Sequence, residues 1–268
     1  MADVSGRRHE HAQACGESSR QGQLLARERF YIPALDGVRF LAFFLVFLHH
    51  LPPGDVFRGW SPGFSAVIQR VSTFGWIGVD LFLTLSGFLI ATLLLREVDA
   101  TGAVSVGRFY VRRALRIWPL YYLALFTTLV VTPVLFGQFG SPAYRKLLAE
   151  HLFPYATLFG NLSYGLLSAS VDALSPSSDT LALLWTVTLE EQFYLIFPLA
   201  VLAAGPAIRL RPVISCAIAL VAFSAATRFY IQANGFPYPL VWVATLAHLD
   251  PLVLGAVGAV AWRKRARL

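Results

Sequence analysis

The sequence predicts an all-α, polytopic membrane protein with about six transmembrane helices and one further interfacial or re-entrant helix. Three observations carry this. Of 268 residues, 56% are hydrophobic and only 14% charged, whereas a soluble domain has roughly a quarter charged. The apolar residues come in blocks of about twenty, the length that crosses a hydrocarbon core of about 30 Å. The 22 cations gather in short segments between those blocks, as membrane topology requires, rather than over one face as a nucleic-acid site would. The 21 Phe, 10 Tyr and 6 Trp exclude disorder, and two cysteines, Cys15 and Cys216, are too few for a disulfide scaffold.

Six blocks read as spans, at about 34–51, 74–95, 117–136, 183–204, 213–232 and 239–262. A seventh stretch, about 152–168, holds Pro154, Asn161 and Ser163. Counting Lys and Arg arbitrates. With six spans and the N-terminus inside, sixteen cations lie in cytoplasmic segments and four in outer loops. A seventh span would move Arg209, Arg211 and the basic C-terminal tail outside. Residues 152–168 are therefore expected to lie on the outer face, with both termini cytoplasmic and the protein in the inner (plasma) membrane. Residues 1–29 are expected to form a polar, disordered cytoplasmic extension, and 30–268 the membrane domain.

Ionisable residues inside these blocks are informative, because each costs several kcal/mol at the bilayer centre unless paired or hydrated. In the first span, Asp36 and Arg39 are one turn apart and can pair. Arg39 and His50 are eleven residues apart, about 16 Å along one helical face. The bland reading is an interfacial Arg and a helix-capping His. In the second span, Asp80 needs a cationic or hydroxyl partner, to which Thr84 can contribute. Ser86-Gly87 fits a small-residue helix contact.

Before the third span, Arg112, Arg113 and Arg116 satisfy the positive-inside rule. Their i,i+3 and i,i+4 spacing also makes a guanidinium fork suited to phosphate. The fourth span carries Glu190 and Glu191 after Trp185. Adjacent residues point about 100° apart, so the two carboxylates should face different partners. His248 and Asp250 read as a further polar pair. Two strings are set aside: Gly59-Trp60-Ser61-Pro62-Gly63 lacks the strand–turn–helix context of a nucleophile elbow, and Asn161-Leu162-Ser163 matches a glycosylation sequon by chance. No residue pattern suggests a metal site or a bound cofactor.

Four segments in order carry a resemblance: Leu35–His50, Gly78–Ile90, Arg112–Tyr121 and Trp185–Pro198. They resemble the L-D-G-x-R…His, G-V-D-x-F-F-x-x-S-G-F-L-I, R-R-x-x-R-I-x-P-x-Y and W-S-L-S-V-E-x-Q-F-Y motifs of the acyltransferase 3 family of integral-membrane acyltransferases. The family pattern has a second Phe where Leu83 stands, an R-x-D where His248-Leu249-Asp250 stands, and about four more spans. The chain is thus expected to be a C-terminally truncated member, with a partner chain as one source of the missing helices.

The resemblance implies transfer of an acyl group, typically acetyl, from acyl-CoA as co-substrate to a hydroxyl of a sugar, glycolipid or other cell-surface acceptor. It implies His50 as catalytic base, with Glu190 or Asp80 orienting its ring. Arg39, Arg113 and Arg116 would bind the donor, and Asp36, Trp185 and Glu191 would support the site. Two rival readings are a proton-coupled exporter using the same ionisable groups and a non-catalytic truncated member.

Overall fold

The computed structural model describes residues 32–51, 61–172, 181–205 and 208–266. The expected polar extension, 1–29, lies outside the described residues. Packing is described for the unit Gly37–Leu268. Among the described residues every regular element is helical, and five helices are long and apolar enough to cross a membrane.

The first is α1 (Pro33–His50). A short helix, α2 (Pro62–Thr73), follows, and the Ser61 side chain caps it by accepting from the Phe64 amide at 3.4 Å. The serine of the set-aside G-x-S-x-G string is thus a helix cap. Next come α3 (Ile77–Thr101) and α4 (Val106–Phe126). A π-helical stretch, Thr127–Val131, leads from α4 into α5 (Thr132–Leu135). Pro133 stands just beyond it, and a ring that supplies no amide hydrogen and crowds the preceding turn favours such local widening.

The expected outer helix over 152–168 is two helices. Ser141 caps α6 (Pro142–Ala156), and α7 (Gly160–Asp172) starts after a turn and bends at Leu167. Leu158 in that turn takes a φ of 65°, a conformation that a bulky side chain resists. Its carbonyl accepts a hydrogen bond from Gln192 at 2.9 Å, so a tertiary contact secures the turn.

The fourth and fifth crossings are α8 (Trp185–Ala204) and α9 (Leu210–Ala233). The sixth apolar block is not one helix. It breaks into α10 (Tyr238–Val243), a 3-10 turn at Thr245–Ala247, and α11 (Asp250–Ala266). Pro251 in the first turn of α11 gives the physical reason, since proline suits a helix start and disfavours continuation from the preceding residues.

α11 crosses α3 with backbone in contact. A Cβ on Gly87 would stand 2.1 Å from the Leu252 carbonyl oxygen, and one on Gly255 2.0 Å from that of Thr84. This is the small-residue packing by which helices associate in lipid. The main core joins Leu83, Ile90 and Leu94 of α3 to Leu189 and Phe193 of α8 and Leu252 of α11. A second core sits under α6, around Tyr121, Leu147, Tyr155 and Leu181.

Candidate functional site

Among the described residues, four polar groups bear on the candidate site. At the C-terminal end of α1, the His50 ring nitrogen Nδ1 lies 2.9 Å from the carbonyl oxygen of Val46, on its own helix. His49 Nδ1 lies 2.8 Å from the carbonyl of Ser72 on α2, and the Ser72 hydroxyl donates to the Leu48 carbonyl at 2.7 Å. A carbonyl can only accept, so each ring carries a proton on Nδ1, and the neutral ring keeps its lone pair on Nε2. The two rings are edge-on, 5.3 Å apart. A Cβ at Gly75 would stand 2.6 Å from the His49 Cβ, so His49 is wedged against the α2–α3 turn. Both residues are exposed. Arg39 lies half-buried on α1, and Asp36 is in its first turn.

The second group centres on Glu190. Its carboxylate accepts from the Ser86 hydroxyl of α3 at 2.7 Å and from the Tyr194 hydroxyl at 2.8 Å. The Arg113 guanidinium of α4 stands over the Tyr194 ring, 4.7 Å from its centre. A string Ser86–Glu190–Tyr194–Arg113 therefore ties α3, α8 and α4 together, and a cation over a ring face is favourable in a poorly hydrated setting. Gly87 serves the packing role expected of the Ser86-Gly87 pair, while Ser86 turns to the carboxylate. The arginine fork is divided: Arg113 is half-buried against α8, whereas Arg112 and Arg116 are exposed.

Glu191 faces elsewhere, as its adjacency to Glu190 requires. Its Oε2 accepts from the Trp118 indole at 3.0 Å. Its Oε1 is buried with no hydrogen-bond partner among the described residues.

The third group holds Asp80. The Asp80 carboxylate lies 2.8 Å from His248 Nε2, and the Thr84 hydroxyl goes to the Asp80 backbone carbonyl. The expected hydroxyl assistance to the carboxylate is replaced by a histidine from the break before α11. Trp185 packs edge-on against the His248 ring at 5.6 Å. The expected His248–Asp250 pair does not form. Asp250 instead accepts from Arg228 of α9 at 3.1–3.3 Å, and Arg228 also donates to the Ala247 carbonyl at 2.7 Å. Arg228 lies inside the fifth apolar block, 213–232, and so falls outside the count of loop cations.

Sequence reasoning missed the fourth group. Asn161 is fully buried. It donates to the Val243 carbonyl at 2.8 Å and to Thr245 Oγ1 at 2.9 Å, and accepts from Gln192 at 2.9 Å. The Thr245 hydroxyl in turn donates to Gln192. This closed network pins α7 and the α10–α11 break onto α8. The signal available in the sequence was three amide and hydroxyl side chains inside apolar blocks, but nothing local says which pair.

The hydrogen bonds of Glu190 and Asp80 thus run to Ser86, Tyr194 and His248, and that of His50 to Val46. The structure does not bring either carboxylate to the His50 ring. No group of three or more metal-ligating side chains occurs among the described residues.

Comparison with known proteins adds to this geometry. A Bacillus subtilis (strain 168) protein provisionally named peptidoglycan O-acetyltransferase YrhL is 30% identical over 237 residues, 87% of this chain and 33% of that protein. Peptidoglycan O-acetyltransferase OatA of Listeria monocytogenes (serovar 1/2a) is 33% identical over 177 residues, 63% of this chain and 24% of that protein. A Staphylococcus aureus (strain COL) protein provisionally named an O-acetyltransferase is 28% identical over 234 residues, 87% of this chain and 35% of its own length. The chain spans about a third or less of the length of these relatives. No solved structure matches. The model of the acyltransferase domain of the acyltransferase 3 family matches residues 32–268, and the chain belongs to that family.

Proposed function

We propose that this chain transfers an acetyl group from acetyl-CoA to a hydroxyl of a cell-surface carbohydrate, in the plasma membrane with both termini cytoplasmic. The relatives named as O-acetyltransferases support the reaction class, and two are named for peptidoglycan. The observation that carries the chemistry is the contact of His50 Nδ1 with the Val46 carbonyl. In the neutral ring it selects the tautomer with the proton on Nδ1 and the lone pair on Nε2, the form that a general base needs.

In the proposed step, His50 Nε2 takes the acceptor hydroxyl's proton as the oxygen attacks the thioester carbonyl. The carbon–sulfur bond breaks, an acetyl ester forms, and the departing CoA thiolate takes up the proton from the imidazolium. Arg116, exposed on α4, binds donor phosphate, for which guanidinium geometry is suited. Arg113, fixed over Tyr194, keeps one cation at the donor's path into the bundle. Arg39 polarises the thioester carbonyl. Glu190 acts at a distance from His50, by holding Tyr194 and through it Arg113.

Membranes from a bacterial host expressing the chain would be given acetyl-CoA labelled in the acetyl group and isolated cell-wall carbohydrate. Free thiol and alkali-labile acetyl ester should appear in equal amounts. Thiol release without ester would make the protein a thioesterase, and neither product from well-inserted protein would overturn the proposal.

A further inference from the structure

An apolar groove of about 660 Å³ lies between α8, α9 and α11, away from the four polar groups except at one end. Its walls include Phe197 and Ala200 of α8, Val213 and Cys216 of α9, and Val253 and Val257 of α11. At one end it reaches Gln192 and Thr245 of the buried amide network. At the other it runs into a second cavity of about 570 Å³, with which it shares Ile208, Arg209 and Val260. That second cavity is lined by Arg209, Arg211, Arg263 and Lys264.

The charge at this basic end is not internally neutralised. Arg263 is paired with Asp99, but Arg209, Arg211 and Lys264 are exposed and pair with no carboxylate among the described residues. The positive-inside rule accounts for cations at a helix boundary. It does not account for an apolar groove that ends among them.

The length of the groove also has a meaning. From Gln192 to Ala204 along α8 is about 18 Å at the helical rise, close to half of a hydrocarbon core of about 30 Å. An occupant with an apolar tail one leaflet long and an anionic head meets both conditions. The geometry points to an anionic phospholipid bound with one acyl chain in the groove between α8, α9 and α11 and its phosphate among Arg209, Arg211 and Lys264. The apolar walls favour the chain over water, and the basic mouth discriminates the headgroup charge, each cation near a membrane surface contributing about 1 kcal/mol.

Cys216 in the groove wall, exposed in the structure, reports on occupancy. The full chain carrying Cys15→Ser would be purified in detergent. Its rate of maleimide labelling would be measured with added dioleoylphosphatidylglycerol, with dioleoylphosphatidylcholine, and with inorganic phosphate. Phosphatidylglycerol should slow labelling of Cys216 about fivefold or more, and the other two less than twofold. Native mass spectrometry should show the phosphatidylglycerol retained by the wild type and lost from the Arg209→Gln/Arg211→Gln/Lys264→Gln variant. Equal protection by both lipids would overturn the headgroup assignment, and protection by phosphate alone would overturn the lipid. A Cys216–Cys216 crosslink forming without lipid would give the groove to a second copy of the chain. If the triple variant does not fold, the lipid comparison on the wild type decides alone.

Discussion

His248 Nε2 stands 2.8 Å from the carboxylate of Asp80, a residue 168 positions earlier in the chain. The bond links α3 to the break that precedes α11, and Trp185 and Trp242 both pack on the same imidazole. The His248 side chain is 6% exposed and that of Asp80 34%, so the buried imidazole depends on the carboxylate more than the reverse. A double-mutant cycle with Asp80→Ala and His248→Ala, followed by thermal unfolding in detergent, should give a coupling energy of about 0.5–3 kcal/mol. Additive effects would mean that the pair contributes nothing.

The Glu190–Tyr194–Arg113 string makes a different kind of demand. Tyr194→Phe removes the hydroxyl that donates to Glu190 but leaves a ring under the Arg113 guanidinium. Tyr194→Leu removes both. KM for acetyl-CoA should rise about threefold in the first and about tenfold or more in the second, with kcat changed less, because a positioned donor-binding cation is uniform binding. A fall in kcat alone would place the string at the chemical step.

His50 and His49 each donate from Nδ1 to a carbonyl, but His49 is tied to α2 and His50 to its own helix. In an activity-competent context, His50→Ala should lose about 10²–10⁴-fold in transfer while still inserting in the membrane. His49→Ala should retain most transfer and lower the melting temperature through loss of the Ser72 contact. The reverse pattern would assign the base to His49.

The α3–α11 crossing should tolerate no side chain at its closest point. Gly255→Ala drives a methyl group into the Thr84 carbonyl, backbone that cannot swing aside, and should cost about 1–3 kcal/mol or more. Gly258→Ala, where a Cβ meets only a Phe88 ring carbon at 3.5 Å, should be close to neutral. Circular-dichroism melts of both variants check the contrast.

His151 of α6 is fully buried beside Ser163, 3.1 Å from its hydroxyl. Burial lowers its pKa, with the Glu150 carboxylate and the Leu167 carbonyl acting in the opposite sense. The folded chain therefore binds fewer protons than the unfolded chain once the pH drops below the ordinary histidine value of about 6.5. Stability should fall as the pH is lowered through that value. His151→Asn should flatten this part of the profile, whatever its effect at pH 8. An unchanged slope in the variant would assign the acid sensitivity to other groups.

The class of molecule and the approximate position of most main helices are legible in the amino-acid order. Block length and hydropathy are local and read directly against bilayer thickness, so α1, α3, α8 and α9 fall on the apolar blocks. The third helix differs: α4 starts at Val106, ahead of the block at 117–136, and carries Arg112, Arg113 and Arg116 within the helix. The divergence of Glu190 and Glu191 was also legible, because it follows from helix geometry alone. The break in the last block had a sign, Pro251, that a count of apolar residues passes over.

Which polar groups meet is set by how the helices pack. Asp80 could have taken any cation or hydroxyl in the bundle, and a histidine held in a helix break is one no periodicity announces. Asp250 could have joined His248 but is met by Arg228 from α9. Asn161 resembled a surface sequon and is enclosed by Gln192 and Thr245. The reason is common to all three. In a low-dielectric interior, a buried polar side chain must find a partner, but the choice depends on helix–helix geometry. Here that geometry is set by glycine contacts such as Gly87–Leu252 between segments far apart in the chain.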